Sequence, residues 1–111
     1  MQIDYDMQKS ELLVRLSGEI DHHNTMQMRS EIDTALCTHT PHTLVLDFRD
    51  VTFMDSSGIG LIMGRYKILQ PLGGEIILRQ PSAHIARVLR LAGMERLAEL
   101  QIHTPEEVSA S

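Results

Sequence analysis

The sequence contains a single cysteine, Cys37, in 111 residues. One thiol can form neither a disulfide framework nor a thiolate metal site, so both kinds of stabilised fold are excluded. A free cysteine usually behaves as a small apolar residue, and we therefore expect Cys37 to be buried near the end of a helix. The alternative is a reactive thiol.

Long apolar runs are also missing from the sequence. No apolar stretch approaches the ~20 residues that span a bilayer, and the N-terminal segment MQIDYDMQKS has neither the basic region nor the apolar region of a signal peptide. The chain is therefore predicted to be cytosolic, without a membrane partner.

Basic residues are few, since 10 Lys and Arg stand against 15 Asp and Glu, for a net charge of -5. Nucleic-acid binding requires clustered cations that neutralise phosphates, so no nucleic-acid partner is expected. With 42% hydrophobic residues and no repeat, residues 1–111 are predicted to form one globular domain.

The first half of the chain predicts a hairpin, a helix and a central strand. Apolar and polar residues alternate over 2–8 and 11–20 with a turn at Lys9 and Ser10, which is typical of a β-hairpin. Asn24, with Gln27 three positions later, predicts a helix N-terminus, and that helix should end before the loop THTPHT at 38–43. The apolar run LVLDF at 44–48 is typical of a strand covered on both faces.

The second half predicts further helices and strands. They are a helix from the serines at 56–57 to Pro71, a strand at 75–79, a helix opened by Pro81 and Ser82 and stopped by Gly93, a strand at 97–102, and a C-terminal turn of helix signalled by Thr104, Pro105 and Glu107. This order predicts an α/β fold with a mixed, mostly parallel sheet. Functional loops in such sheets follow the carboxyl ends of strands, where GEIDHHN (18–24) and FMDSSGIG (53–60) lie.

Two adjacent hydroxyls, those of Ser56 and Ser57, stand at the predicted helix start beside the Asp55 carboxylate. Helix capping by a serine explains one hydroxyl, because one cap needs one acceptor. At least one polar group is therefore spare. The N-terminus of a helix is also where a phosphate group is best tolerated.

Three glycines, Gly58, Gly60 and Gly64, follow at close spacing in the same predicted helix. A helical glycine costs about 1 kcal/mol relative to alanine, so their presence needs a reason. Bare backbone allows another protein surface to approach closely. The alternative is tight packing of the helix on its own sheet.

The segments GEIDHHN and FMDSSGIGLIMGRYK together resemble the anti-sigma factor antagonists of spore-forming bacteria, in the STAS domain family, over about residues 7–91. The resemblance implies a mixed sheet with helices and a protein with neither enzymatic activity nor a cofactor. It implies that Ser56 is phosphorylated by an anti-sigma factor that is a serine kinase of the GHKL ATPase type. The unphosphorylated form would bind that kinase, with its nucleotide, and release the sigma factor, and a PP2C-type phosphatase would reset the switch.

The partner surface is expected around the serines, and Ser57 is the second choice for the phosphorylated residue. The predicted contact residues are Asp21, His22, His23, Asp55, Ser57, Gly58, Gly60, Gly64 and Arg65. Adjacent histidines are expected to point apart, so no metal site is predicted. Asp21 has the alternative role of holding loop N–H groups. Arg65 is expected on a solvated helix face, and its alternative is contact with an acidic partner surface.

Two other functions stay open from the residues alone. Asp55 could serve a receiver-like or hydrolytic enzyme, although Met54 stands where a Gly-x-Ser-x-Gly elbow needs glycine and no strand ends in an adjacent acidic pair. The domain could also bind a nucleotide itself, although GIGLIMGRYK lacks the Gly-Lys-Ser/Thr ending of a P-loop.

Overall fold

A computed structural model of the chain describes residues 1–97 and the backbone of residues 100–103. After an N-terminal hairpin, helices and strands alternate, which confirms the predicted α/β class. The elements are β1 (Gln2–Asp6), β2 (Glu11–Ile20), α1 (Thr25–His39), β3 (Thr43–Met54), α2 (Ser56–Leu69), β4 (Glu75–Arg79), α3 (Ala83–Leu91) and β5 (Leu100–His103). The predicted C-terminal turn at Thr104, Pro105 and Glu107 lies outside the described residues.

Within the described residues, the sheet has five strands in the order β1-β2-β3-β4-β5. Strand β1 pairs with β2 in the antiparallel direction, and each later pair is parallel. The predicted mixed, mostly parallel sheet is therefore confirmed. Among the described helices, none is long and apolar enough to cross a bilayer.

Strand β3 is much longer than the predicted run at 44–48, because it continues to Met54. Two irregularities explain why the alternation of apolar and polar residues does not show this extension. From Arg15 to Ser17 on β2, the paired residues on β3 advance from Asp47 to Asp50, and a second shift follows at Gly18. Each extra residue on β3 reverses which side chains face the core, so the strand pattern is lost after Phe48.

Helices α1 and α2 lie beside each other, with α1 against β2 and α2 against β4. Their inner faces join the sheet in one core, and Met28, Ile32 and Leu36 of α1 are buried at four-residue spacing. The side-by-side arrangement leaves a groove between the outer parts of the two helices.

Cys37 is exposed, so its predicted burial is wrong. The helix does not end before Thr38 but continues to His39, where Thr40 adopts a left-handed conformation and its N–H donates to the Leu36 carbonyl. Cys37 is one residue beyond the buried Leu36, about 100° around the helix, and this rotation turns it away from the core.

Candidate functional site

Helix α2 begins directly after β3, and its N-cap is Asp55. The Asp55 backbone is extended, and its Oδ1 accepts a hydrogen bond from the Ser57 N–H at 2.8 Å. Capping by a serine, which was one interpretation of the sequence, is therefore wrong. Neither serine hydroxyl has a hydrogen-bond partner among the described residues. Ser56 is exposed and Ser57 is half-buried.

The loop after β2 lies beside this helix start, as expected from parallel strands. The Asp55 N–H donates to the Ile20 carbonyl at 3.2 Å, and Ile20 pairs with Met54 in the sheet. The Asp21 carboxylate accepts hydrogen bonds from the N–H groups of His23 and Asn24, both at 3.0 Å. Asp21 thus has the loop-holding role that was the alternative to partner contact.

Asn24 occupies the N-cap position of α1 but does not cap it, so that prediction is wrong in its mechanism. Its backbone is already helical, and its side-chain amide donates to the Glu19 carbonyl at 2.9 Å. This bond fastens the start of α1 to the end of β2.

His22 and His23 are both exposed in the turn between β2 and α1. Their rings lie edge to face with centroids 5.9 Å apart. The expectation that they point apart is wrong, because the chain turns at this point and brings the two rings together. In residues 1–97, no three His, Cys, Asp or Glu side chains are grouped closely enough to hold a metal ion.

The three glycines of α2 have different surroundings. A Cβ on Gly58 would lie 2.5 Å from Met54 Sδ and 3.3 Å from Ile20 Cγ2. Gly58 is buried, so its missing side chain serves packing of the helix on its own sheet, and the partner contact at Gly58 stays a prediction. A Cβ on Gly60 or Gly64 would meet no atom within 4 Å. Internal packing therefore does not explain Gly60 and Gly64.

Arg65 is only 5% exposed, so its predicted place on a solvated face is wrong. Its Nε lies 2.9 Å from Asp33 Oδ1 of α1, yet the geometry is not that of a hydrogen bond, and Arg65 Nη1 is also buried without a partner in the described residues. Burial lowers the pKa of Arg65 from its ordinary value, Asp33 opposes this shift, and Arg29 adds to it.

The groove between α1 and α2 has a volume of about 290 Å³. It connects the serine end of α2 with the buried guanidinium of Arg65. Its lining residues are Thr25, Arg29, Ser57, Gly60, Leu61, Gly64 and Arg65. The groove contains two cationic side chains and no carboxylate, although the whole chain carries a net charge of -5.

A family model described as STAS domain matches residues 2–107 of the sequence. The chain belongs to the STAS domain family. The anti-sigma F factor antagonist of Paenibacillus polymyxa is 36% identical over 97 residues, which cover 87% of this STAS domain and 83% of that relative.

Two solved structures of SpoIIAA share this STAS fold. The anti-sigma factor antagonist SpoIIAA in its unphosphorylated form has a TM-score of 0.77 at 34% identity and covers 96% of this chain and 90% of its own. The Bacillus cell fate determinant SpoIIAA in the phosphorylated form has a TM-score of 0.70 at 33% identity, with coverage of 98% and 96%. The resemblance that the sequence motifs indicated is thereby confirmed.

Thr25 and Arg29, which line the groove between α1 and α2, were not identified from the sequence. A signal for them exists, because Thr25, Arg29 and Asp33 recur every four residues and therefore share one face of α1. That face looks polar and solvated in sequence. Only the position of α2 shows that it borders Ser57 and Arg65.

Proposed function

We propose that this STAS domain is an anti-sigma factor antagonist whose binding is switched by phosphorylation of Ser56. Unphosphorylated, it binds an anti-sigma factor that is a serine kinase with bound nucleotide, and the sigma factor is released. Phosphorylation of Ser56 by that kinase separates the two proteins, and a PP2C-type phosphatase restores the hydroxyl. The names of the relatives, which are anti-sigma F factor antagonists, support this role. We propose that the domain acts in sporulation and in the cytoplasm.

The observation that carries the proposal is the freedom of the Ser56 hydroxyl. Asp55 supplies the helix cap, so phosphorylation of Ser56 removes no hydrogen bond that holds the fold. The first turn of α2 also offers a favourable helix dipole to an added phosphate. The modified domain should therefore stay folded, and the effect of the phosphate should fall on the partner interface.

The energetics of the switch are modest. Phosphorylation adds about -1.5 to -2 charges, and a hundredfold loss of affinity requires only about 2.8 kcal/mol. Burying the phosphate without a cation in a complex would cost at least that much. The Asp55 carboxylate, which is next in sequence, adds repulsion of the same sign.

The partner would contact the exposed end of the domain around α2. Gly60 is exposed and Gly64 is half-buried, and neither has an internal neighbour that explains the missing side chain. His22 and His23 extend the surface from the adjoining loop. Asp21, Asp55 and Ser57 shape this surface, and Arg65 lies at the base of the groove.

Reconstitution of the domain with its cognate anti-sigma factor and ATP tests the proposal. Ser56→Ala should bind the kinase and accept no phosphate, Ser56→Asp should bind about tenfold or more weakly, and Ser57→Ala is the matched control that should still be phosphorylated. If Ser56→Ala gained phosphate and Ser57→Ala did not, the switch would lie at Ser57.

The chemistry of the phosphate separates this function from an enzyme that uses Asp55. Phosphoserine survives acid, whereas an acyl phosphate on Asp55 would be lost in hydroxylamine. A titration of the isolated domain with GTP or ATP tests the nucleotide-binding alternative. We expect no saturable signal.

A further inference from the structure

We propose that the groove between α1 and α2 receives an acidic side chain of the docked protein partner, held by Arg29 and Arg65. This inference rests on the proposed function, because it names the chemistry by which the same surface recognises its partner. The groove is lined by two cations, two hydroxyls and two bare glycines, with no acid of its own.

The first argument is the incomplete pairing of Arg65. Its side chain is almost fully buried, and Nη1 has no hydrogen-bond partner in the described part of the chain. Buried polar groups are normally satisfied, and Arg65 lines the groove, so its unpartnered nitrogen leaves a donor that an acceptor from outside the domain can satisfy. Guanidinium groups form strong, often bidentate hydrogen bonds with oxyanions such as carboxylates and phosphates.

The second argument is the local charge. Arg29 is exposed, and no carboxylate among the described residues pairs with it, whereas Asp33 contacts Arg65. The two guanidinium groups of the groove and the Asp33 carboxylate, which contacts Arg65 without lining the groove, together carry a single positive charge. A carboxylate monoanion neutralises that charge, whereas a phosphate dianion would leave the groove negative. The balance therefore favours a glutamate or aspartate side chain over a phosphate.

The third argument is access. A Cβ on Gly60 or Gly64 would project into open space, and both residues line the same groove. Because glycine has no side chain, the backbone of a partner can come close to α2 at these two positions. A short acidic side chain of the partner can then enter the groove between the helices. Ser57 and Thr25 add hydroxyl donors along the path.

The same arrangement connects the groove with the switch. Ser57 lines the groove, and Ser56 precedes it in the chain. A phosphate on Ser56 would place negative charge beside the entering carboxylate and repel it. Phosphorylation would thus weaken binding in two ways: the phosphate would repel the acidic side chain of the partner, and burying the phosphate in the complex would cost free energy.

Charge reversal at Arg29 tests the inference, because Arg29 is exposed and its replacement should leave the fold intact. Binding to the cognate anti-sigma factor should weaken about tenfold or more for Arg29→Glu and change little for Arg29→Lys. Arg87→Glu on α3 is the matched control, since it alters the net charge equally at another exposed position. We expect that control to bind within about twofold of the wild type.

A reversal scan of the partner completes the test. One partner variant, in which a single Asp or Glu is changed to Lys, should no longer bind the wild-type domain but should bind the Arg29→Glu domain. Equal binding by Arg29→Glu and Arg87→Glu, or the absence of a rescuing position, would overturn the inference. Saturable binding of inorganic phosphate at Arg29, with a dissociation constant below about 1 mM by NMR, would also overturn the inference.

If the wild type itself fails to bind the anti-sigma factor, the proposed function fails. If the wild type and Arg29→Glu bind equally, only this inference fails.

Discussion

The Met54 side chain occupies the space that a Cβ on Gly58 would need, with Sδ 2.5 Å from the position of that atom. Met54 is the last residue of β3 and is almost fully buried. Gly58 lies in the first turn of α2, directly above it. The contact sets how closely the helix start, and therefore Ser56, sits on the carboxyl end of the sheet.

Gly58→Ala should destabilise the domain. The added methyl group would displace Met54 and approach Ile20, and such overpacking costs about 1–3 kcal/mol of unfolding free energy. The higher helix propensity of alanine offsets up to about 1 kcal/mol of this loss. Urea unfolding of the purified variants measures the difference. An unchanged or higher midpoint would mean that Met54 moves aside freely and that the glycine is not required for packing.

Gly60→Ala and Gly64→Ala should have the opposite effect on stability. Neither new methyl group meets an atom within 4 Å, so each variant should gain up to about 1 kcal/mol of unfolding free energy. Both should bind the anti-sigma factor more weakly, because the methyl group holds the partner backbone away from the groove. A loss of binding in a stabilised variant cannot come from unfolding. Full affinity in both would remove these glycines from the contact surface.

Much of the fold could be predicted where one periodicity holds through an element. Strand β4 was predicted with the bounds that it has, and Ser82 caps α3 through the Ile85 N–H as the sequence indicated. Strand β3 could not be predicted beyond Phe48, because its pairing with β2 shifts register twice and the alternation loses its phase. Its extension is a tertiary effect of the neighbouring strand.

The candidate site was predictable in its position but not in its division of roles. The motif placed Asp21 and Asp55 near the serines, and the residues alone left open whether Asp21 holds loop N–H groups or contacts a partner. The structure shows that Asp21 holds them and that Asp55, not a serine, caps α2. Arg65 was expected in solvent, since an arginine in a helix usually lies there. Its burial depends on Asp33, which is 32 positions away in sequence. Long-range pairs of this kind leave no local signal.

Replacement of Asp55 should separate capping from switching. Asp55→Ala removes the acceptor for the Ser57 N–H and should cost about 1 kcal/mol of unfolding free energy, whereas Asp55→Asn retains an acceptor and should cost less. Ser56→Ala, the matched control, should stay within about 0.5 kcal/mol of the wild type because its hydroxyl has no internal partner. Urea unfolding of the three variants gives the ranking. A larger loss for Ser56→Ala than for Asp55→Ala would contradict the assignment of the cap.

Removing only Asp33 from the ion pair between Arg65 and Asp33 should destabilise the domain more than replacing both residues by uncharged ones. Burial is the main cause of the lowered pKa of Arg65. The folded protein therefore binds the proton of Arg65 less tightly than the unfolded chain does. As a result, the charge of Arg65 lowers the free energy of unfolding at every pH below the shifted pKa. Asp33→Ala leaves that charge unpaired. We expect a loss of about 1–3 kcal/mol, less than for a fully buried pair, because the Asp33 side chain is 36% exposed.

The double variant Asp33→Ala with Arg65→Met checks this reasoning. Methionine fills a similar volume without a charge, so the double variant should unfold at a higher urea concentration than Asp33→Ala alone. If the double variant were the less stable of the two, Arg65 would be stabilising the fold through contacts other than Asp33.

Cys37 should react in the native protein at a rate close to that of a free thiol. It is exposed on α1 and borders an apolar hollow of about 390 Å³ that also contacts Leu36, Ile68 and Leu72. Labelling with a maleimide under native conditions, followed by mass spectrometry, should give one adduct, and Cys37→Ser should give none. A buried cysteine reacts only through transient opening of the fold. If labelling of the wild type accelerated more than about tenfold in denaturing urea, Cys37 would be protected and the end of α1 would be packed differently.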